Sequence, residues 1–293
     1  MREVWNRAQG ALTQEPEVGA GAMHFVYGTA FGRLLARGIL CRRFVSQLYA
    51  AWQKSPLSRG KVRRFLAQYD IDVSDCTQQT FRCFNDFFTR GLRPGARPVD
   101  PDPLALVSPC DSRLLALDIT PNLTFQIKGG DYSVSSLLRN RRLAEDFAGG
   151  RCLIFRLCVD DYHRYCYFDD GSKGGNIPLP GRYYTVRPVA LEHHDFFKEN
   201  SREYTVMATR HFGKAVQVEV GATFVGRIEN HHGVCSFRRG EEKGMFLFGG
   251  STIVLLLGKN AADIDPRIIE NTSRGLETRV LLGRRIGHAR REG

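Results

Sequence analysis

The residues of this chain best suited to chemistry are four small ones, Gly249, Gly250, Ser251 and Thr252, set between the apolar runs Met245–Phe248 and Ile253–Leu257. Two readings fit them. A Gly-Gly bend between buried strands accounts for the glycines and treats the hydroxyls as polar interruptions. The other reading is a self-cleavage site. Glycine crowds its own carbonyl least and tolerates unusual dihedrals, so the Ser251 hydroxyl can turn back onto the Gly250 carbonyl. Such an attack needs a base for the serine proton, a group to orient that base, and donors for the oxyanion formed at Gly250.

Base and orienting group must come from elsewhere in the chain. His163 stands in Val159–Gly171 (VDDYHRYCYFDDG), where its plainest role is a hydrogen-bonded histidine at a strand end. Asp111 closes the segment Ser108-Pro109-Cys110-Asp111, and an aspartate after proline most simply caps a turn. The pairs His193-His194 and His231-His232 would point to opposite faces of a strand, and neither has metal-like spacing to a third ligand. Eight cysteines are spread without paired spacing, so reduced thiols and no metal site are expected.

The elements that must hold these groups are legible in part. Met23–Ser55 is helical in composition, with Phe31, Leu34, Leu35 and Ile39 on one face and Val45, Leu48, Tyr49 and Trp52 on another. Gly38 and Arg42 interrupt it, so two helices or a bend fit better than one. Gly60–Tyr69 reads as a short basic helix. Past about Gln78 the chain changes to short apolar runs parted by Gly, Pro and Asp, among them Arg113–Asp118, Cys152–Val159, Ala215–Val220 and Ile253–Leu257. No regular βαβ alternation is present. The expected fold class is α+β: a helical, basic, membrane-associating N-terminal portion (residues 1–78) followed by a mainly antiparallel β catalytic domain (residues 79–293). The basic stretch Leu282–Gly293 reads as a solvated tail.

The chain has 293 residues, 42% hydrophobic and 25% charged, which excludes a disordered protein and leaves room for a substantial core. Its formal net charge of +11 points to an anionic partner, nucleic acid or an acidic membrane surface. The first residues do not resemble a secretory signal, and no apolar run reaches about 18 residues, so a soluble or peripheral protein is expected. Arg33, Arg37, Arg42 and Arg43 could form the basic side of an interfacial helix. At roughly 1 kcal/mol each near an anionic bilayer, they would support reversible docking rather than insertion.

Taken in order, the segments FNDFF (Phe84–Phe88), the Arg97-Pro98 loop, SPCD, VDDYHRYCYFDDG, KENSRE (Lys198–Glu203), VEVGATFVGRIEN (Val218–Asn230) and Gly-Gly-Ser-Thr resemble the phosphatidylserine decarboxylase proenzymes. The resemblance spans roughly Phe84 to Leu257. It implies cleavage of the Gly250–Ser251 bond by the serine hydroxyl, with Ser251 converted to a covalent pyruvoyl group and no pyridoxal phosphate or metal. The large and small chains stay associated. That group would take up the amine of phosphatidylserine and accept the electrons released with carbon dioxide, giving phosphatidylethanolamine.

By the same resemblance Asp111 is the acidic member of the relay. The family carries two histidines three residues apart; His163 matches the first, and Cys166 stands where the second is usual. Three arrangements stay open: His163 as base, Cys166 as base in an altered site, or impaired maturation. His163 is also a candidate proton donor after decarboxylation. The implied location is peripheral, at the cytoplasmic face of the cell membrane. Competing readings are a membrane-binding homologue that does not mature, a pyruvoyl decarboxylase for another amine substrate, and a nucleic-acid binder. For the last no recognised module is present.

Overall fold

The run Ser251–Leu257 (STIVLLL) carries no charge and is rich in branched side chains, the composition of a strand covered on both faces. All seven of its residues are buried. The structure, a computed structural model, describes residues 2–15, 51–69, 71–120, 125–127, 130–180, 201–221, 227–247 and 251–290. The described residues are mixed α and β and mostly strand. In chain order the strands are β1 (Arg2–Asn6), β2 (Ala11–Glu15), β3 (Ala105–Val107), β4 (Ser112–Asp118), β5 (Phe125–Ile127), β6 (Gly130–Tyr132), β7 (Arg151–Leu157), β8 (Arg164–Cys166), β9 (Gly171–Lys173) and β10 (Ile177–Leu179). They continue as β11 (Arg202–Thr209), β12 (Gly213–Val220), β13 (Arg227–Asn230), β14 (Cys235–Phe237), β15 (Glu242–Leu247), β16 (Ser251–Leu257), β17 (Ala262–Ile264), β18 (Glu277–Val280) and β19 (Arg285–Ala289).

Eleven strands form one sheet in the order β14-β9-β11-β12-β16-β7-β4-β18-β1-β2, with β10 on β11. β16 lies at its centre between β12 and β7, antiparallel to both. A three-stranded sheet, β13-β15-β8, covers one face, and a second, β17-β19-β3, joins the same core through Leu106, Ile264 and Ile286. The main core joins the two layers through Phe155, Ile253 and Leu255 of the large sheet and Tyr165 and Phe246 of the small one.

A helical portion over residues 1–78 is present at Arg59–Tyr69, while the first described residues differ from that expectation. β1 and β2 form a hairpin, and β1 joins the main sheet by parallel pairing with β18. Pairing with β18 buries Val4 fully, and Asn6 Oδ1 accepts from the Ala8 and Gln9 amides at 3.1 and 3.3 Å, fixing the turn. The amphipathic stretch 23–50 lies outside the described residues. The tail expected over Leu282–Gly293 is instead largely strand, since β19 pairs with β17 and β3 and buries Ile286. Its paired arginines at 284–285 and 290–291 hide the buried Ile286, Gly287 and Ala289 between them.

Candidate active site

The chain leaves the small sheet at Leu247 and enters the centre of the large one at Ser251. Only residues 248–250 separate them, a span of at most about 14 Å. Ser251 is fully buried, and its cross-strand partner is Leu157. Ile253, two residues on, lies opposite Phe155 and Glu219. Side chains opposite one another in an antiparallel pair share a face, and alternation puts residues 251 and 253 on the same one. Glu219 forms an ion pair with Lys243 of β15 at 2.8 Å, so this is the face covered by the small sheet. The Ser251 side chain therefore belongs to the space between the two sheets.

His163 belongs to the same layer. It immediately precedes β8, is fully buried, and shares parity with Tyr165, which packs in the main core. Its carbonyl accepts from the Phe246 amide of β15 at 3.0 Å, tying it to the strand that feeds the Ser251 junction. Phe88 lies against the imidazole with ring centroids 3.8 Å apart and planes at 37°. Nδ1 is 2.9 Å from the Asp161 carbonyl oxygen. A carbonyl only accepts, so Nδ1 carries the proton and Nε2 is the basic atom.

FNDFF positions this histidine. In Phe84–Phe88 the three buried phenylalanines follow an i, i+3, i+4 pattern, and the Cys83 Sγ caps the helix by accepting from the Asp86 amide. Phe65 of Arg59–Tyr69 packs on Phe84 and Phe87 with centroids 5.2 and 5.8 Å apart. Phe88 is left for His163. A reciprocal clamp then fixes the segment around the histidine. Arg90 donates to the carbonyls of Asp160 and Asp161 at 3.0 and 3.2 Å, and Arg164 donates to the Thr89 carbonyl at 3.1 and 2.8 Å.

Two aspartates stand near this segment, and they have different partners. Asp161, buried, pairs with the buried Arg113 of β4, and its Oδ2 accepts from the Cys158 amide at 2.7 Å. Burial pushes its carboxyl up, but Arg113, the Cys158 amide and His163 together outweigh burial and hold it below the ordinary value. Asp111 is gripped by Arg97, with Nε at 3.0 and 3.1 Å and Nη2 at 2.7 Å, and accepts from the Leu282 amide at 2.8 Å. Among the described residues its carboxylate bonds to these two groups and not to His163. Asp161 carried a sequence signal, the doubled acid before Tyr162-His163, while its partner Arg113 carried none.

Cys166 goes with Asp111. It stands three positions after His163, so in extended chain the two side chains face opposite sides. Cys166 is buried with Tyr162 and Leu282, and its amide donates to the Pro109 carbonyl at 2.9 Å. Burial pushes its thiol up to about 12.

Between the sheets lies a polar cluster that sequence reading missed. Lys243 and Glu219 are both fully buried. Lys243 Nζ also donates to Asn230 Oδ1 at 2.7 Å, Gln217 Nε2 donates to Glu219 Oε1 at 2.9 Å, and Asn230 Nδ2 donates to Glu203 at 2.6 Å. Such a pair is tolerated only when its hydrogen bonds are made, and here it locks β15 to β12 beside Ser251. His231 and His232 are occupied with Glu242 and with the Tyr167 hydroxyl. Residues 181–200, including His193, His194 and Lys198, lie outside the described residues.

The phosphatidylserine decarboxylase family model matches residues 84–288. A phosphatidylserine decarboxylase proenzyme 2 of Clostridium acetobutylicum is 39% identical over 284 residues, covering 97% of each chain. Proenzymes of Clostridium perfringens and Desulfitobacterium hafniense are 39% and 38% identical over 98% and 99% of this chain and 100% of their own. The match takes in the FNDFF helix, both aspartates, His163 and the Ser251 strand, and with it the chain belongs to the phosphatidylserine decarboxylase family.

Proposed function

We propose that this chain cleaves itself between Gly250 and Ser251 and then decarboxylates phosphatidylserine to phosphatidylethanolamine. The observation that carries this reading is a buried serine hydroxyl opening the central strand, at the end of a junction whose upstream arm bonds to His163. The Ser251 Oγ adds to the Gly250 carbonyl carbon, and Nε2 of His163 takes its proton. The C–N bond breaks, the nitrogen of residue 251 leaves as an amine, and an ester joins Gly250 to the former serine. β-Elimination frees the Gly250 carboxylate, and hydrolysis of the new amino end releases ammonia.

The residues present fit a pyruvoyl group, because Ser251 supplies all three of its carbons and stands in a strand buried throughout. In place, that carbonyl system supplies an electron sink for loss of carbon dioxide. Arg113 and Asp161 hold the loop that carries His163, and the Asp161 carbonyl keeps the Nδ1 proton in place. After carbon dioxide leaves, His163 is positioned to return a proton to the substrate carbon. Arg97 and Leu282 fix Asp111, which acts on the fold around Cys166.

The two fragments stay together because the pairings cross the cut. β16 bonds to β12 and β7, β18 to β4 and β1, and β19 to β3, so the small chain is woven into the large one. Association with an anionic membrane surface at the cytoplasmic face, through the basic N-terminal portion, accords with the charge of +11. Among the described residues no helix is long and apolar enough to cross a membrane.

Denaturing electrophoresis with intact-mass analysis tests the reading. The expected result is a 1–250 fragment and a 251–293 fragment blocked at its amino end, with Ser251→Ala remaining one chain. A parent chain that stays uncut under native conditions overturns it.

A further inference from the structure

Strand register places a second feature at the same end of the main sheet as Ser251. Ser251 lies opposite Leu157, Arg156 opposite Arg113, Ser112 opposite Val280, and Arg279 beside Asn6. The end of β18 and the turn after β1 thus lie along the rim on which β16 begins. Three strand spacings separate Ser251 from Val280, about 14 Å.

Here the β1–β2 turn and the β18–β19 turn enclose a cavity of about 580 Å³, lined in part by Asn6, Arg7, Asp100, Arg279, Arg284 and Arg285. Its charge is lopsided, with four arginines and one carboxylate. Two of the arginines build the walls. Arg7 ties the hairpin to the C-terminal strands through Asp265 and the Arg285 carbonyl, and Arg285 lies 3.7 Å from Asp100. The other two are uncommitted: among the described residues, neither Arg279 nor Arg284 has a side-chain hydrogen bond or ion pair. Arg279 is half-buried and Arg284 exposed, so one guanidinium is partly desolvated and the other presented at the mouth.

We propose that this cavity binds the phosphate-bearing headgroup of an anionic phospholipid in the bilayer and so turns the Ser251 rim toward the membrane. Planar guanidinium forks match phosphate oxygens, and a partly desolvated fork binds them more strongly than an exposed one. The separation from Ser251 exceeds the span of one phosphoserine headgroup. The bound lipid is therefore a neighbour of the one being decarboxylated, and the site is a docking site rather than part of the reaction. This inference rests on the lipid-acting reading above.

The test uses the matured full-length protein, its Arg279→Gln/Arg284→Gln variant and, because Arg279 lies in a strand, the single variant Arg284→Glu in an exposed turn. All three are expected to give the same two fragments, which separates this question from maturation. Flotation with vesicles of phosphatidylcholine containing phosphatidylglycerol should show the double variant bound about 10- to 30-fold more weakly than the parent, from two basic groups at roughly 1 kcal/mol each. Binding to phosphatidylcholine alone should be equal. Decarboxylation of phosphatidylserine in vesicles should fall, while turnover of a dissolved short-chain phosphatidylserine stays at the parent rate. Unchanged partition of both variants onto anionic vesicles overturns the proposal. So does full displacement of the parent by millimolar inorganic phosphate at constant ionic strength, which would make the cavity a site for free phosphate.

Discussion

Two aspartate–arginine pairs flank the segment Asp160–Cys166, and they differ in what surrounds them. In the Asp161–Arg113 pair both side chains are almost wholly buried, at 3% and 2% exposure, whereas Arg97 of the Asp111 pair keeps 24%. The first pair holds the segment that carries His163, whose ring belongs to the layer of the Ser251 side chain. The second borders Cys166, on the opposite side of β8, beneath the turn at Leu282. One strand therefore separates a site equipped with a basic nitrogen from one equipped with a protonated thiol. An Asp–Arg pair is no catalytic mark by itself; what it holds in place decides its use.

The sharpest way to break this comparison is to remove the proton acceptor from each side. His163→Ala should slow self-cleavage by about 10²–10⁴-fold, the usual worth of a positioned general base. A time course of fragment appearance on denaturing gels reads this directly. Should Cys166→Ala be the slower variant, the roles of the two sides are exchanged.

The next effect concerns the pairs themselves. Asp161→Asn leaves the buried Arg113 with only the more exposed Asp160, at 3.5 Å, as counter-charge and should cost up to about 3–5 kcal/mol, measured by urea unfolding of a Ser251→Ala background. Asp111→Asn leaves an arginine that reaches water and should cost less, about 1–3 kcal/mol. Acid gives a second reading of the Asp161 pair. The Asp161 carboxyl is held below its ordinary 3.8, so its contribution is fully present above that pH and is lost as pH falls through the lowered folded-state value. Asp161→Asn should therefore flatten the acid limb of the stability curve. Equal losses for the two variants, or an Asp161→Asn acid limb like the parent's, would erase the distinction between the pairs.

Much of this architecture could be read before any fold was known, and the failures have physical causes. β16 announces itself because a strand at the centre of a sheet is apolar almost throughout, and β4, β7 and β12 by runs of Val, Leu, Ile and Ala between turn residues. β8, β9, β14 and β19 are three to five residues long and carry arginine or serine on their outer sides, so periodicity is too brief to register. The β1–β2 hairpin was missed because its strandedness comes from pairing with β18, far away in sequence. At the site, Ser251 and His163 are legible as residue types in ordered segments. Arg113 is not, since nothing near Ser112-Arg113-Leu114 says that a carboxylate forty-eight residues later will meet it. Lys243 and Glu219 look like surface charges on alternating strands, and only a second sheet laid over the first turns them inward.

The smallest expected effect lies at Cys166, where it tests how far the two sides are independent. Cys166→Ala removes one buried sulfur from a cluster with Tyr162, Leu282 and Leu92. The loss should be about 1 kcal/mol, comparable to deleting one buried methylene-sized group. Self-cleavage should stay within about threefold of the parent, because a side chain on the far side of β8 reaches Ser251 only through the backbone. Alkaline pH adds an independent reading. Folded Cys166 keeps its proton up to about 12 against an ordinary 9.0, so the stability gained by burying the neutral thiol is complete below about 9.0 and is lost as pH rises toward 12. Comparing alkaline unfolding of the parent with that of Cys166→Ala isolates this contribution from those of Cys110 and Cys152, which burial also raises. The cleavage rate of the parent should show no step through the ordinary thiol value of 9.0. A step there that disappears in Cys166→Ala would mean the thiol ionises within reach of the reaction, and the strand between the two aspartates would no longer divide them.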